Sequence, residues 1–349
     1  MARFAYGGQA LMEGVLMRGK DAIGVAVRGP DGRIFGTQER LDSVLHRNRF
    51  ARAPFFRGVV VLYETLVIGT RWLMRSGALA AAGEGVAMGG GTVAVTMAVT
   101  LVLAIGLFVL LPLLVAQGAT ATVLSGLLSS LGITGGLLSF LQHLIEAAVR
   151  IALFVGYLLV VSRSAEIRRV FQYHGAEHMT IHAWEAGDPL TVDRVRPYPT
   201  AHPRCGTEFL VIVILLSIVA FSLVGRQEVA VMIGSRVLLI PVIAAVGYEL
   251  LKWAARRRGN PIVRALTYPG ILVQMITTKR PTDDMIEVAI VSLEQALKAD
   301  REALPDGANV LAREPLQMPG LPPSAIPGEV EAGLAAIRER DAAGAAARA

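Results

Sequence analysis

Four of the chain's six histidines, His174, His178, His182 and His202, fall within 29 residues, and the single cysteine, Cys205, follows the last of them by three. Imidazole and thiolate are the side chains that best bind zinc-like ions. On a helix, His174, His178 and His182 recur at i, i+4 and i+8 and share one stripe. Glu185 projects into that stripe and Glu177 lies beside it. The outer two histidines stand about 12 Å apart along the axis, so one ion takes an i, i+4 pair, and His182 becomes a supporting residue or serves a second ion. His202 and Cys205 form an H-x-x-C knuckle in the proline-stiffened loop RPYPTAHPRCG. The candidate metal ligands are therefore His174, His178, His202 and Cys205 on a divalent metal, zinc by chemistry. Glu177 is the candidate catalytic base, and His182, Glu185 and Glu249 are supporting or alternative ligands. Three protein ligands would leave a position for water and catalysis, whereas four would close a structural site. A polar helix facing water remains the alternative without metal.

The block His174-Gly-Ala-Glu177-His178 also matches H-x-x-E-H, the inverted zincin motif, in which the glutamate activates water. Glu249, 71 residues after His178, falls where such a site takes its third ligand. Two apolar stretches intervene, so the soluble peptidase fold is excluded and the match is at best convergent.

What must position these residues is a membrane-embedded scaffold. The 349 residues are 53% hydrophobic, with a mean hydropathy of +0.52, beyond the range of an average soluble domain. Four stretches are apolar enough to span a bilayer as helices: about 92–116, 137–161, 209–224 and 237–253. Twelve Arg or Lys precede the first stretch, none lies in 117–136, and six lie between the second and third. This asymmetry predicts a multi-pass protein of the bacterial cytoplasmic (inner) membrane with both termini and the His/Cys loop in the cytoplasm. Cys205 is then a free thiol or a ligand. The net charge of +6 reads as arginines facing anionic lipid rather than nucleic acid.

The expected fold is mainly α: a polytopic membrane protein with about four transmembrane helices, interfacial helices and a small N-terminal cytosolic β-hairpin region. Residues 1–53 hold the hairpin, AIGVAVR and RIFGTQER around GPDG. The preceding GGQALMEGVLMRG is glycine-rich but is no phosphate loop, and its Glu13 and Arg18 read first as capping or pairing residues and second as members of a site. Residues 54–91 hold an interfacial helix, or a re-entrant one, with Arg57, Glu64 and Arg71 at seven-residue spacing. Residues 92–161 supply helices one and two, 162–208 the metal loop, 209–253 helices three and four, and 254–300 further interfacial helices. The tail 301–349 reads as disordered. With no proline between Pro112 and Pro189, the second span is expected to continue as one rod to Gly187. Asp284 and Glu287 fit a capping box. Inside the second span, His143, Glu146 and Arg150 share a face, either a neutralised packing pair or a polar path.

At GGQALMEGVLMRG, FQYHGAEHMTIHAWEAG, HPRCGTEF, YELLK and NPIVR…PG the chain resembles the bacterial YqhQ family. The resemblance spans most of residues 5–300 and implies a membrane location and a suspected metal-dependent activity, with no known reaction. Met179 stands where the family usually has lysine after HGAEH. The leading expectation is a zinc-dependent, hydrolase-like enzyme acting on an amphiphilic substrate, a lipid or membrane peptide, at the cytoplasmic face. A membrane scaffold or assembly factor with a structural metal is the second reading and a small transporter the third. Membrane lipids are the expected partners, and a homo-oligomer is allowed.

Overall fold

Alternation of large and small side chains along the N-terminal strands sets up a sheet with two covered faces. The computed structural model describes residues 6–30, 32–41, 43, 48, 50–82, 135–202, 205–224, 229–257, 259–302 and 316–317, with scattered positions between 95 and 132. Strands β1 (Gly7–Leu11), β2 (Gly14–Arg18), β3 (Ala22–Arg28) and β4 (Ile34–Arg40) form an antiparallel meander, and residues 316–317 add a parallel bridge to β4. On one face Leu16, Ile23, Val25, Val27 and Phe35 pack against Trp72 and Leu79 of α1 (Phe56–Ala82). On the other, Val15, Met17 and Ala26 pack against α3 (Ala165–Ala186) and α8 (Asp283–Ala299). Successive strand residues point to opposite faces, so each strand serves both cores. Helix α8 lies so close to β3 that a Cβ on Gly24 would collide with the Ser292 carbonyl and the Ala296 nitrogen. The Ser292 hydroxyl fills the gap by donating to the carbonyls of Val15 (2.9 Å) and Gly24 (3.1 Å).

The expected hairpin is β3–β4, turning through Gly32 at φ 79°. GGQALMEGVLMRG is a second hairpin, β1–β2, that the sequence reading left unassigned. Its tight turn places Glu13 at φ 53°, a conformation costly for a non-glycine residue. Glu13 is held there by Arg169 (2.6 Å) and by the Tyr173 hydroxyl (3.2 Å). Arg18 pairs with Glu64 (2.7 Å), so both residues serve the structure.

Helix α2 (Gly135–Val161) covers the second apolar stretch but does not run on as one rod. The chain turns at Arg163–Ser164 and re-enters helix at Ala165, 103° away. The turn is what lets α3 lie on the sheet. Helix α3 stops where expected, with Gly187 left-handed (φ 81°) and its N–H returned to Ala183 and Trp184. After the one-turn α4 (Val192–Val195) come α5 (Gly206–Val224), α6 (Val229–Ala255) and α7 (Pro261–Thr277), then α8. The capping box at α8 does not form. Thr282 is the N-cap without a side-chain bond, and Glu287 pairs instead with Arg28 (3.1 Å).

The fold is thus mainly helical with a small antiparallel N-terminal sheet. Among the described residues one segment, Leu238–Ala255, is long and apolar enough to cross a membrane. Residues 206–221 form a shorter apolar helix, and most of the first expected span, 92–116, lies outside the described residues.

Candidate metal centre

Helix α3 is the platform. Its apolar face docks Tyr173, Ala176, Met179 and Trp184 into the core shared with the sheet and α8. That docking turns the histidine stripe toward the loop after α4 and the C-terminal end of α7. The approach is tight. A Cβ on Gly175 would collide with the Lys279 carbonyl oxygen, so only glycine lets this segment cross the helix beside His174.

The structure brings His174, His178 and Cys205 together, with one ligand atom from each lying within 4.8 Å of the others. His174 Nε2 is 3.3 Å from Cys205 Sγ. Each of the two histidines places its other nitrogen, Nδ1, on a backbone carbonyl: Thr277 for His174 (3.0 Å) and Thr200 for His178 (2.6 Å). A carbonyl can only accept, so Nδ1 carries the proton and the Nε2 lone pair is left for a ligand. This outer support is typical of histidines that bind metals. Cys205 is buried, and its sulfur accepts from the Thr207 hydroxyl (3.3 Å).

Glu177 lies beside this group, with Oε2 4.0 Å from His174 Nε2. The residue is 3% exposed, and Oε2 is buried without a hydrogen-bond partner. Burial pushes its carboxyl up to about 7, aided by Cys205 and opposed by His174 and by an N–H bond from Gly8. Burial, together with the neighbouring His174, also holds His178 well below the ordinary histidine range, opposed by the Thr200 carbonyl. Burial raises the Cys205 thiol against the pull of Thr207. The three ligands are two imidazoles and a thiol, a donor set suited to zinc. A buried carboxylate oxygen with no partner in contact with them suits the same reading.

The other predicted residues separate into groups. His202 sits one step away: its ring is 5.7 Å from His178 and 4.5 Å from His182, and Nε2 is 3.5 Å from Glu185. His182 puts Nε2 on the Ala201 carbonyl (2.9 Å) and stacks on Tyr198. His182, His202 and Glu185 thus form an adjoining polar cluster. Glu249 is held by Arg57 (Nε to Oε1, 2.7 Å) and the Phe55 N–H (3.2 Å), so its carboxylate is committed to α1. His143, Glu146 and Arg150 lie on α2, but their side chains are outside the described residues.

Several supports of the site escaped the sequence reading. The Gly8 N–H and the carbonyls of Thr200, Ala201 and Thr277 leave no side-chain signature. Gln274, fully buried on α7, accepts the His202 N–H (2.8 Å). A lone glutamine inside an apolar helix was the available signal.

The chain matches, over residues 53–299, the family described as a protein of unknown function, DUF1385. It is 32% identical over 311 residues to the uncharacterized protein YqhQ of Bacillus subtilis (strain 168), covering 85% of this chain and 93% of that protein. No solved structure matches it.

Proposed function

The chain belongs to the YqhQ-like family, as its motifs indicate, and we propose that it is a membrane-bound, zinc-dependent hydrolase working on an amphiphilic substrate at the cytoplasmic face. The observation that carries this reading is the convergence of His174, His178 and Cys205 beside the partnerless carboxylate oxygen of Glu177. His174 and His178 through Nε2, with the Cys205 thiolate, would hold the ion, which would supply Lewis-acid activation of water. Glu177 is placed to take the proton a water loses on attacking an ester or amide carbon, and to return it to the leaving oxygen or nitrogen. Multi-pass insertion with both termini in the cytoplasm is part of the proposal. It is supported by the arginine asymmetry, by the apolar α6, and by side chains such as Leu223 (83% exposed) and Leu238 (75%), whose exposure suits lipid.

The test is incubation of the reconstituted protein with a bacterial polar-lipid extract and a membrane-peptide mixture, read by mass spectrometry. The proposal expects chelator-sensitive hydrolysis that Glu177→Gln abolishes while zinc is retained. Equal turnover by Glu177→Gln would contradict it.

A second reading is a structural metal in a membrane scaffold, favoured by the burial of His202 (3% exposed) next to His178. A shift of His202 into the ligand set would close the site, tying the 200–205 loop to α3. Zinc coordination by X-ray absorption separates the two: a nitrogen-and-sulfur shell of four protein ligands would favour the scaffold.

A further inference from the structure

A cavity of about 560 Å³ opens between the start of α5, the end of α6 and α7, in the size range of small-ligand sites. Its wall combines Ala254, Val263, Thr267 and Ile271 with two charged residues, Glu208 and Arg264. It adjoins the metal centre through the backbone, since the Glu208 N–H donates to the Cys205 carbonyl (3.0 Å). The same helix α7 that lines the cavity ends at Thr277, whose carbonyl holds His174. Gly270 packs against the Cα of Glu208 so closely that a Cβ would press on it at 3.0 Å, which fixes the cavity floor to α7.

The surroundings indicate what enters. Tyr268, Leu272 and Met275 are exposed along α7 at i+4, i+8 and i+11 from Arg264, a stripe at helical spacing beside the rim. Leu250 and Trp253, at the end of the membrane-length segment of α6, are exposed next to it, and Arg257 lies over the Trp253 ring (4.9 Å). An apolar stripe edged by arginines is the pattern of a helix lying at the headgroup level of a bilayer. Arg264 itself is exposed and makes no side-chain ion pair among the described residues.

We propose that this cavity is a phospholipid site. Arg264 takes the phosphate through its guanidinium fork, Glu208 accepts from a donor group on the headgroup, and the acyl chains lie along the exposed stripe of α7. Arginine matches phosphate bidentately, and the carboxylate supplies the complementary charge for an ammonium or hydroxyl donor. The proposal rests on the membrane reading above and names the substrate class of that site: a phospholipid whose headgroup is fed toward Cys205 and Glu177.

Native mass spectrometry of the delipidated full-length protein, titrated with phosphatidylethanolamine or phosphatidylcholine of matched chains, tests it. Phosphatidylcholine carries the phosphate but has no headgroup donor. The expected result is preferential retention of phosphatidylethanolamine, an approximately tenfold loss in Arg264→Ala, and loss of the preference in Glu208→Gln; one charge-assisted hydrogen bond is worth about that factor. Equal retention of both lipids, or unchanged retention in Arg264→Ala, overturns the proposal. So does full competition by glycerophosphoethanolamine, which would make the ligand a free headgroup. Zinc content of the same samples keeps the two readings apart: lipid retained without zinc contradicts the metal centre alone, and zinc without lipid contradicts the lipid site alone.

Discussion

The sheet with α1, α3 and α8 and the helical group α5 to α7 bury their apolar residues in opposite ways. In the first, Met17, Tyr173 and Leu293 are fully covered, and charged residues are drawn into pairs: Arg18–Glu64, Arg28–Glu287, Arg71–Glu39 and Arg169–Glu13. In the second, Leu223, Leu238, Ile262 and Met275 face outward. One part covers its apolar side chains, and the other satisfies its backbone within helices while leaving large apolar side chains exposed, which is what the proposed membrane setting calls for. The candidate metal centre sits where they meet. Its histidines come from α3 in the first part, and its cysteine precedes α5 in the second. The lesson is that the docked platform aims the ligands, while the apolar helices fix where the site stands.

The largest expected effect tests that contrast directly. Leu293→Ala should cost about 2–5 kcal/mol in unfolding of the detergent-purified protein, the usual range for emptying a core. Leu238→Ala should change stability by less than about 0.5 kcal/mol. Equal losses would break the comparison. Next comes the junction: Gly175→Ala should cost about 1–3 kcal/mol, because the Lys279 backbone must give way. It should also lower zinc content, since that movement shifts the segment carrying the Thr277 carbonyl. Zinc unchanged in Gly175→Ala would detach the site from the platform.

Glu294 sharpens the account of the first part. It is fully buried, both carboxylate oxygens lack a hydrogen-bond partner, and burial pushes its carboxyl up to about 8, partly offset by Lys298. An unfolded glutamate ionises near 4.5, so between these values the folded chain holds the extra proton. The contribution to stability is complete below about 4.5 and is lost as pH rises through 8. Glu294→Gln should therefore match the parent at pH ~4 and exceed it by a margin that grows as pH rises toward ~9 in urea titrations. A constant difference across pH would refute this. The smallest effect belongs to the half-exposed pair at the β1–β2 turn. Arg169→Ala should cost about 0.5–1 kcal/mol, shrinking with added salt.

Much of this was legible in the sequence, for identifiable reasons. Strong local signals carried the β3–β4 hairpin with its GPDG turn, the stop of α3 at Gly187, and the clustering of histidines with Cys205. Long-range packing hid the rest. No local rule says that the chain turns at Arg163–Ser164, because the turn exists to lay α3 on a sheet more than 120 residues earlier in the chain. The β1–β2 hairpin was hidden because its turn uses glutamate where glycine or asparagine is usual, and a distant arginine holds it in place. Spacing paired His202 with Cys205, yet the His202 ring stands beside His182 and Glu185, leaving His174, His178 and Cys205 as the tightest group. The carbonyls that orient the histidines are invisible to any reading of side-chain types.

The most direct test of a metal centre at this junction is the zinc content of the detergent-purified chain, measured by elemental analysis beside His178→Ala, Cys205→Ala and His202→Ala. The account predicts about one zinc per chain, matching a single three-ligand group, lost in His178→Ala and Cys205→Ala and largely kept in His202→Ala. A parent chain that takes up no zinc after reconstitution, or one whose zinc survives loss of both His178 and Cys205, would contradict it.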